Sequence, residues 1–165
     1  MLKPVIETAL NKQINFEQAA SQEYLAMVAY FEQLDLRGFA KFMRKQSEEE
    51  RERAMRIFAH IFDRGGQVKL ESIAEPRSDF NSPRSVFEAA FARERANTKN
   101  IHEIYQLALD ESDYATQTML HWFINEQVEE ERWCEEALKL FEMVGDNRSA
   151  MMMLDHRYGS KAEEE

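Results

Sequence analysis

The chain has 165 residues with 21 Lys and Arg against 31 Asp and Glu, and its net charge of −10 excludes the basic face that a nucleic-acid partner needs. Its hydrophobic content of 44% suffices for one core, and the single Cys excludes an intrachain disulfide and is typical of a reducing, cytoplasmic compartment. No run of about 18 apolar residues occurs, so we expect no membrane span.

Helix-breaking residues divide the chain into long periodic segments. The breakers stand where helical periodicity begins or ends: Pro4, Gly38, Gly65, Pro83 and Gly145. Ser82 before Pro83 is typical of a helix N-cap followed by the first helical residue. The pattern predicts four long helices, a short fifth helix and a disordered acidic tail: about 5–34, 38–64, 83–111, 115–144 and 147–157, with the tail at 159–165.

The lengths of the connections predict how these helices are arranged. About three residues separate the first helix from the second, and the third from the fourth, and such short joins place helices antiparallel. The connection 65–82 is long enough to run the length of the bundle. The sequence therefore predicts an all-α chain with one domain over residues 1–165, a four-helix bundle with a long crossover between helices two and three and a short fifth helix.

Each long helix carries a glutamate near its middle, on the stripe of residues that faces the core. Residues seven positions apart share one face of a helix, and in this spacing Glu50 lies between Met43 and Ile57. The acids at matching depth, with a glutamine one turn before the last of them, are Glu17, Glu50, Glu94, Gln127 and Glu130.

Four buried carboxylates need positive charge between them. An isolated buried charge costs several kcal/mol after relaxation, and clustered acids otherwise keep protons at neutral pH. A site rich in oxygen ligands suits iron or manganese better than structural zinc. A single glutamate on such a stripe could also lie on the solvent-exposed face of its helix, if the helical register is assigned wrongly. Four glutamates at matching depth favour a metal site.

In these residues the sequence resembles the bacterial non-haem ferritins over nearly its whole length. The matching positions are Met1-Leu2-Lys3-Pro4, Glu17, Tyr24, Glu49-Glu50, Glu94, Trp122 and Glu126-Gln127-x-Glu129-Glu130. The resemblance implies a ferritin-like fold that oxidises ferrous iron with O2 or peroxide. It also implies storage of the ferric mineral inside a homo-oligomeric shell of 24 subunits.

The same resemblance implies which residues bind iron. Glu50 would bridge two irons in a ferroxidase centre whose residues are Glu17, Glu50, Glu94, Gln127 and Glu130. A third, weaker iron site would be lined by Glu49, Glu126 and Glu129. Haem-containing relatives use a Met on helix two, and Arg51 stands at that position here, so no haem is expected.

Arg53 departs from the family pattern, which has a His three residues after the bridging glutamate. A guanidinium has no free lone pair and stays protonated, so it cannot bind iron. In one interpretation Arg53 points into the site and pairs with Glu17 or Glu50. In the other it turns to solvent, and water replaces the missing nitrogen.

The first interpretation is favoured because Glu17 otherwise lacks a partner in the metal-free protein. It predicts that the iron position at Glu17 and Glu50 is weakened. The position at Glu50, Glu94 and Glu130 would survive, and oxidation would be slow. His60, about 10 Å from Arg53 along the helix, cannot replace the missing ligand.

Two aromatic residues have open roles. Tyr24 lies one heptad from Glu17, where its phenol either hydrogen-bonds a ligand carboxylate, gives up an electron, or is a core residue with a satisfied hydroxyl. Trp122 is either a core residue or an electron donor.

Three other functions stay open at this point. The first is a storage or nucleation subunit with little catalytic activity, which Arg53 favours. The second is a rubrerythrin-like di-iron peroxide reductase, against which stand the single Cys and the lack of a C-x-x-C iron module. The third is a purely structural helical bundle.

Overall fold

A computed structural model describes residues 1–164 as five α-helices. They are α1 (Pro4–Gln33), α2 (Arg37–Asp63), α3 (Pro83–Asp110), α4 (Tyr114–Val144) and α5 (Arg148–Lys161). α1 pairs with α2 and α3 with α4, α1 also contacts α3, and α5 packs on α2 and α4. The predicted all-α four-helix bundle with a short fifth helix is confirmed, and the four long helices begin and end within one residue of the predicted bounds.

The hairpin turns and helix starts follow from local side-chain chemistry. Asp35 and Ser112 adopt positive φ angles of 57° and 52°, which reverses the chain after α1 and α3. The Asp113 side chain then accepts a hydrogen bond from the backbone N–H of Thr116 at 3.0 Å and caps α4. Ser82 caps α3 as predicted, in a reciprocal capping box.

The long crossover, residues 64–82, docks beside α1. The Asn11 side chain donates to the carbonyl of Gln67 at 2.9 Å and accepts from the backbone N–H of Lys69 at 2.7 Å. These bonds satisfy backbone groups of a segment that has no regular structure of its own. The crossover leaves α1 and α2 as one hairpin and α3 and α4 as the other.

α5 crosses the beginning of α2 at a contact that requires glycine. A Cβ at Gly38 would overlap the carbonyl of Asp155, and a Cβ at Gly159 would lie 3.0 Å from the Gly38 Cα. The Asp155 carboxylate accepts the backbone N–H of Phe39 at 2.8 Å, which satisfies one of the free donors in the first turn of α2.

This packing corrects the predicted end of α5 and the predicted tail. The helix continues to Lys161, beyond the expected residue 157, because the turn around Gly159 is packed against α2. The disordered tail predicted at 159–165 is therefore wrong for residues 159–161, which are helical. Glu165 lies outside the described residues.

The core has two apolar parts with a polar layer between them. The part under α5, here called the aromatic end, includes Phe31, Phe39, Phe42, Phe87, Trp133, Phe141 and Tyr158. The opposite part, the aliphatic end, includes Ile6, Leu10, Ile14, Ile57, Ile61, Ile101 and Leu120. Between them, the polar layer comprises Gln13, Glu17, Glu50, Arg53, Glu94, Asn97, Gln127 and Glu130, all buried. Within residues 1–164, no helix is sufficiently long and apolar to cross a membrane.

Candidate metal centre

Each of the four long helices contributes one carboxylate to the polar layer. Glu17 of α1, Glu50 of α2, Glu94 of α3 and Glu130 of α4 are between 0% and 4% exposed. They reach the bundle interior because each occupies a core position of its helix, as the heptad spacing predicts. Four carboxylates in one buried layer make this the most negative part of the interior and require compensating charge.

Arg53 lies inside this layer and supplies that positive charge. It is 2% exposed, and its Nη1 donates to Glu50 Oε1 at 2.9 Å and to Gln127 Oε1 at 3.2 Å. Its Nη2 donates to Glu130 Oε1 and lies 3.6 Å from Glu126 Oε2. Burial alone lowers the pKa of Arg53, but Glu50 and Glu130 outweigh it, so the pKa is raised and the side chain stays charged.

The side chain therefore points inward and pairs with Glu50, one of the two partners that the favoured interpretation names, and it also reaches Glu130, which that interpretation does not name. Arg53 pairs with Glu50 and with Glu130 on the facing helix, whereas Glu17 has other partners. The long guanidinium stem carries the charge from α2 across to α4.

Two amides hold Glu17. Gln13 Nε2 donates to Glu17 Oε1 at 2.8 Å, and Asn97 Nδ2 lies 3.3 Å from both carboxylate oxygens. Gln13 Nε2 also donates to Asn97 Oδ1 at 2.7 Å, which joins α1 to α3. The expectation that Glu17 needs Arg53 as its partner was wrong, because these neutral donors satisfy it.

Glu94 is bonded to Tyr24 and Gln127. The Tyr24 hydroxyl donates to Glu94 Oε1 at 2.6 Å, and Gln127 Nε2 donates to Glu94 Oε2 at 3.2 Å. Burial and the charge of Glu130 raise the pKa of Glu94 to about 7, although the Tyr24 hydrogen bond lowers it. Of the roles open to Tyr24, the geometry supports a phenol that orients a carboxylate of the centre.

Glu50 keeps one oxygen open. No hydrogen-bond donor among the described residues serves Glu50 Oε2, although the side chain is fully buried. Burial, together with the charges of Glu17 and Glu94, raises the pKa of Glu50 well above its usual range. An oxygen with no donor, next to other acids, is the kind of group that a cation would satisfy.

Trp133 links the polar layer to the aromatic end. Its indole Nε1 donates to Glu130 Oε2, three residues earlier on α4, while its ring packs edge-on against Phe42 with centroids 5.0 Å apart. Trp122, by contrast, lies beneath the Arg56 guanidinium, 3.8 Å from its ring centroid, and has no such bond to the centre. Cys134 is buried, and burial raises the pKa of its thiol.

Sequence reasoning missed three residues of this network: Gln13, Asn97 and Trp133. Each stands three or four positions from one of the predicted glutamates, the spacing that places side chains side by side on a helix. That spacing is the signal that identifies them.

The residues predicted for a weaker third site lie at the edge of the layer. Glu126 is half-exposed and near Arg53, and Glu129 is exposed and pairs with Arg132. Burial and the charge of Glu130 raise the pKa of Glu49. Arginines thus engage two of these three glutamates.

Hydrogen bonds from neighbouring side chains occupy most of the carboxylate oxygens of this layer. Across residues 1–164, no three His, Cys, Asp or Glu side chains meet around one point as the ligands of a metal ion do. The oxygen-rich set nevertheless suits iron, and the open Glu50 Oε2 lies beside Glu17. The arrangement fits a centre that binds a cation by exchanging internal hydrogen bonds for metal–oxygen bonds.

Comparisons with known proteins show the family to which the chain is similar. Residues 7–144 match a family model described as a ferritin-like domain. The chain is similar to a bacterial non-heme ferritin of Staphylococcus aureus, with 33% identity over all 165 residues and 99% of that protein. A bacterial non-heme ferritin of Staphylococcus epidermidis is 34% identical over 98% of each chain.

Solved structures give the same result. An open-pore ferritin from the hyperthermophilic archaeon Archaeoglobus fulgidus has a TM-score of 0.95 and 37% identity. The match covers 96% of this chain and 98% of that one. A structure described as a humanized archaeal ferritin has the same TM-score at 36% identity.

Proposed function

Because this chain belongs to the ferritin family and, within it, to the bacterial non-haem ferritins, we propose that it stores iron. In this proposal the protein takes up ferrous iron, oxidises it slowly with O2 or peroxide, and keeps the ferric mineral inside a shell of 24 copies. It would act in the cytoplasm, as the sequence predicts.

One observation carries the proposal: a buried carboxylate from each of the four long helices lies in a single polar layer. A bundle whose only task is structural gains nothing from four buried acids, since each costs desolvation energy. Iron is the substrate that such an oxygen-rich set suits. Glu17, Glu50, Glu94 and Glu130 are its proposed ligands, with Gln127 beside them.

The neighbouring side chains have distinct tasks in this proposal. Tyr24 orients Glu94, and Gln13 with Asn97 orients Glu17, so that the ligand oxygens are preorganised by hydrogen bonds. The apolar ends on both sides of the polar layer limit access of water along the bundle axis. Glu49, Glu126 and Glu129 collect iron at the edge of the layer.

Arg53 slows the reaction in this proposal. It donates no electron pair to a metal, and its charge repels a second cation in the same layer. Iron therefore binds more weakly than it would with a neutral imidazole at residue 53.

A second candidate is a subunit that nucleates and stores mineral with almost no oxidation of its own. The specific observation in its favour is that Arg53 is bonded to two of the four carboxylates, Glu50 and Glu130. The two candidates differ in the rate of ferrous oxidation by the assembled protein.

The test begins with the size of the assembly and then measures oxidation. Sizing should give about 470 kDa, the mass of 24 chains of 19.5 kDa. Ferrous iron added in air should be oxidised and retained in solution, and Arg53→His should speed oxidation several-fold. Arg56→His, one turn away on the outer face, is the matched control and should leave the rate unchanged.

A small oligomer that retains no iron would contradict the storage function. A wild-type rate equal to the spontaneous rate in buffer, with iron still retained, would support the nucleating subunit instead.

A further inference from the structure

The guanidinium of Arg53 occupies a defined half of the polar layer. Its two nitrogens bond Glu50 Oε1 on α2 and Glu130 Oε1 on α4, so the positive charge lies between these two helices. Gln127 Oε1, 3.2 Å from Nη1, completes the donor contacts on this side. This half of the layer already holds one fixed positive charge and is hydrogen-bonded.

We expect that a metal ion does not displace Arg53 from this position. The guanidinium is fully ionised at any pH at which the chain folds. Moving it away would remove the ion-pair partner of both Glu50 and Glu130 and leave Glu130 with only the Trp133 N–H, a change that is strongly unfavourable in protein interiors.

The other half of the layer is not filled in this way. Glu50 Oε2 is fully buried and has no donor within the part of the chain that the structure describes. Its neighbour Glu17, which also shares a hydrogen bond with Glu50, is otherwise held by the neutral amides of Gln13 and Asn97, and its two bonds from Asn97 are long, at 3.3 Å. Glu94, in contrast, has both oxygens bonded, by Tyr24 and Gln127.

We propose that Arg53 is a built-in cation that replaces one of the two metal ions of the centre, so that the chain binds a single divalent cation beside Glu17 and Glu50. The inference rests on the proposed function, because it assumes that this polar layer is where iron binds. It reverses the expectation that the position at Glu50, Glu94 and Glu130 survives, because the guanidinium holds Glu130.

The residue thereby sets the stoichiometry of the site. A neutral residue at 53 would leave Glu130 free, and the same carboxylates would accept two cations. With Arg53 in place, the guanidinium supplies a permanent positive charge to the layer. The carboxylates then bind only one metal ion. Arg53 is a positioning residue in this sense, since it acts through Glu50 and Glu130.

The test titrates redox-inert Zn²⁺ into the assembled, metal-free protein by calorimetry. Binding to surface acids is subtracted with a Glu50→Gln variant, which lacks the central ligand. Wild type and Arg53→Lys, which keeps the charge, should each bind one Zn²⁺ per chain in the centre. Arg53→His should bind two, and the matched control Arg56→His should bind one.

A second measurement does not depend on stoichiometry. Arg53→Gln removes the cation, so the metal-free variant should unfold at a lower temperature than wild type, and Zn²⁺ should recover most of that loss. In wild type, Zn²⁺ should raise the unfolding temperature much less. An equal rise in both proteins would overturn the proposal, as would two Zn²⁺ in wild type or one in Arg53→His.

These results are separable from those of the storage test. If the chain forms no cage and retains no iron, yet binds one Zn²⁺ in wild type and two in Arg53→His, this inference is supported and the proposed storage function is contradicted. If the protein forms a cage that stores iron but binds two Zn²⁺ per wild-type centre, the storage function is supported and this inference is contradicted.

Discussion

At the aromatic end of the bundle, ring packs on ring: Phe87 lies 4.9 Å from Phe141 and 5.5 Å from Phe39 between ring centroids. A few turns along the same helices, in the polar layer, equally buried side chains are joined by hydrogen bonds and ion pairs around Arg53. The aromatic end is stabilised by contact area, which is non-directional and adds up over many contacts. The polar layer depends on a balance of charges and on donors that match acceptors.

Trp133 belongs to both regions, and its one side chain makes both an apolar ring contact and a hydrogen bond. Its ring packs against Phe42 in the aromatic end, and its N–H donates to Glu130 in the polar layer. Burial alone therefore does not identify the functional part of this core, because both regions are equally buried. What identifies it is the number of polar partners that the buried groups need, together with a carboxylate oxygen of the layer, Glu50 Oε2, that has no donor among the described residues.

The largest effect is expected at the aromatic end. Phe87→Ala removes a fully buried ring that packs among the rings of Phe39, Phe141 and Tyr158, and large-to-small changes of this kind cost about 3–5 kcal/mol. Guanidinium unfolding should show this loss at pH 5 and pH 7 alike, because no charge is involved.

Phe62→Ala is the control for that variant, since Phe62 is 57% exposed, and its effect should be much smaller. A loss for Phe87→Ala that changes with pH would mean that the aromatic end is coupled electrostatically to the polar layer, contrary to the comparison.

A smaller effect is expected from a neutral residue of the polar layer. Asn97→Leu keeps the branched shape of the side chain but removes the donor to Glu17 and the acceptor of Gln13, and leaving buried polar groups unsatisfied costs about 1–3 kcal/mol. Chemical unfolding measures the loss. Asn100→Leu, one turn along α3 and half-buried, is the matched control and should change the unfolding free energy little. Equal losses in both variants would mean that the Asn97 amide has no specific role.

The two regions also differ in how far the sequence alone predicts them. The heptad stripes identify the four buried glutamates, and the helix breakers give the bounds of the four long helices, because both depend on local periodicity. The end of α5 is not predicted, because the helix continues through Gly159, where it packs on Gly38, and this contact between helices leaves no signal in the local sequence.

The partners inside the polar layer depend on contacts between helices. Sequence spacing places Arg53 next to Glu50, one turn away, but its bond to Glu130 crosses from α2 to α4 and depends on the distance between those helices. Asn97 likewise reaches Glu17 across the α1–α3 contact. Such pairs depend on the rotation and separation of two helices. The residue pattern within one helix does not predict either quantity.

The effect that most sharply separates the regions, and the one that develops gradually with pH, is the pH dependence contributed by Glu94. Burial and Glu130 raise its pKa from 4.5 to about 7, so over that interval the native chain keeps a proton that the unfolded chain has lost. Stability therefore falls as pH rises, with a slope of at most about 1.4 kcal/mol per pH unit from one proton. In metal-free protein, Glu94→Gln should flatten this decline between about pH 5 and 7, whereas Glu103→Gln, an exposed control on the same helix, should leave it unchanged. An unaltered slope in Glu94→Gln would mean that Glu94 is ionised throughout, and that the polar layer carries its full negative charge against Arg53 even without metal.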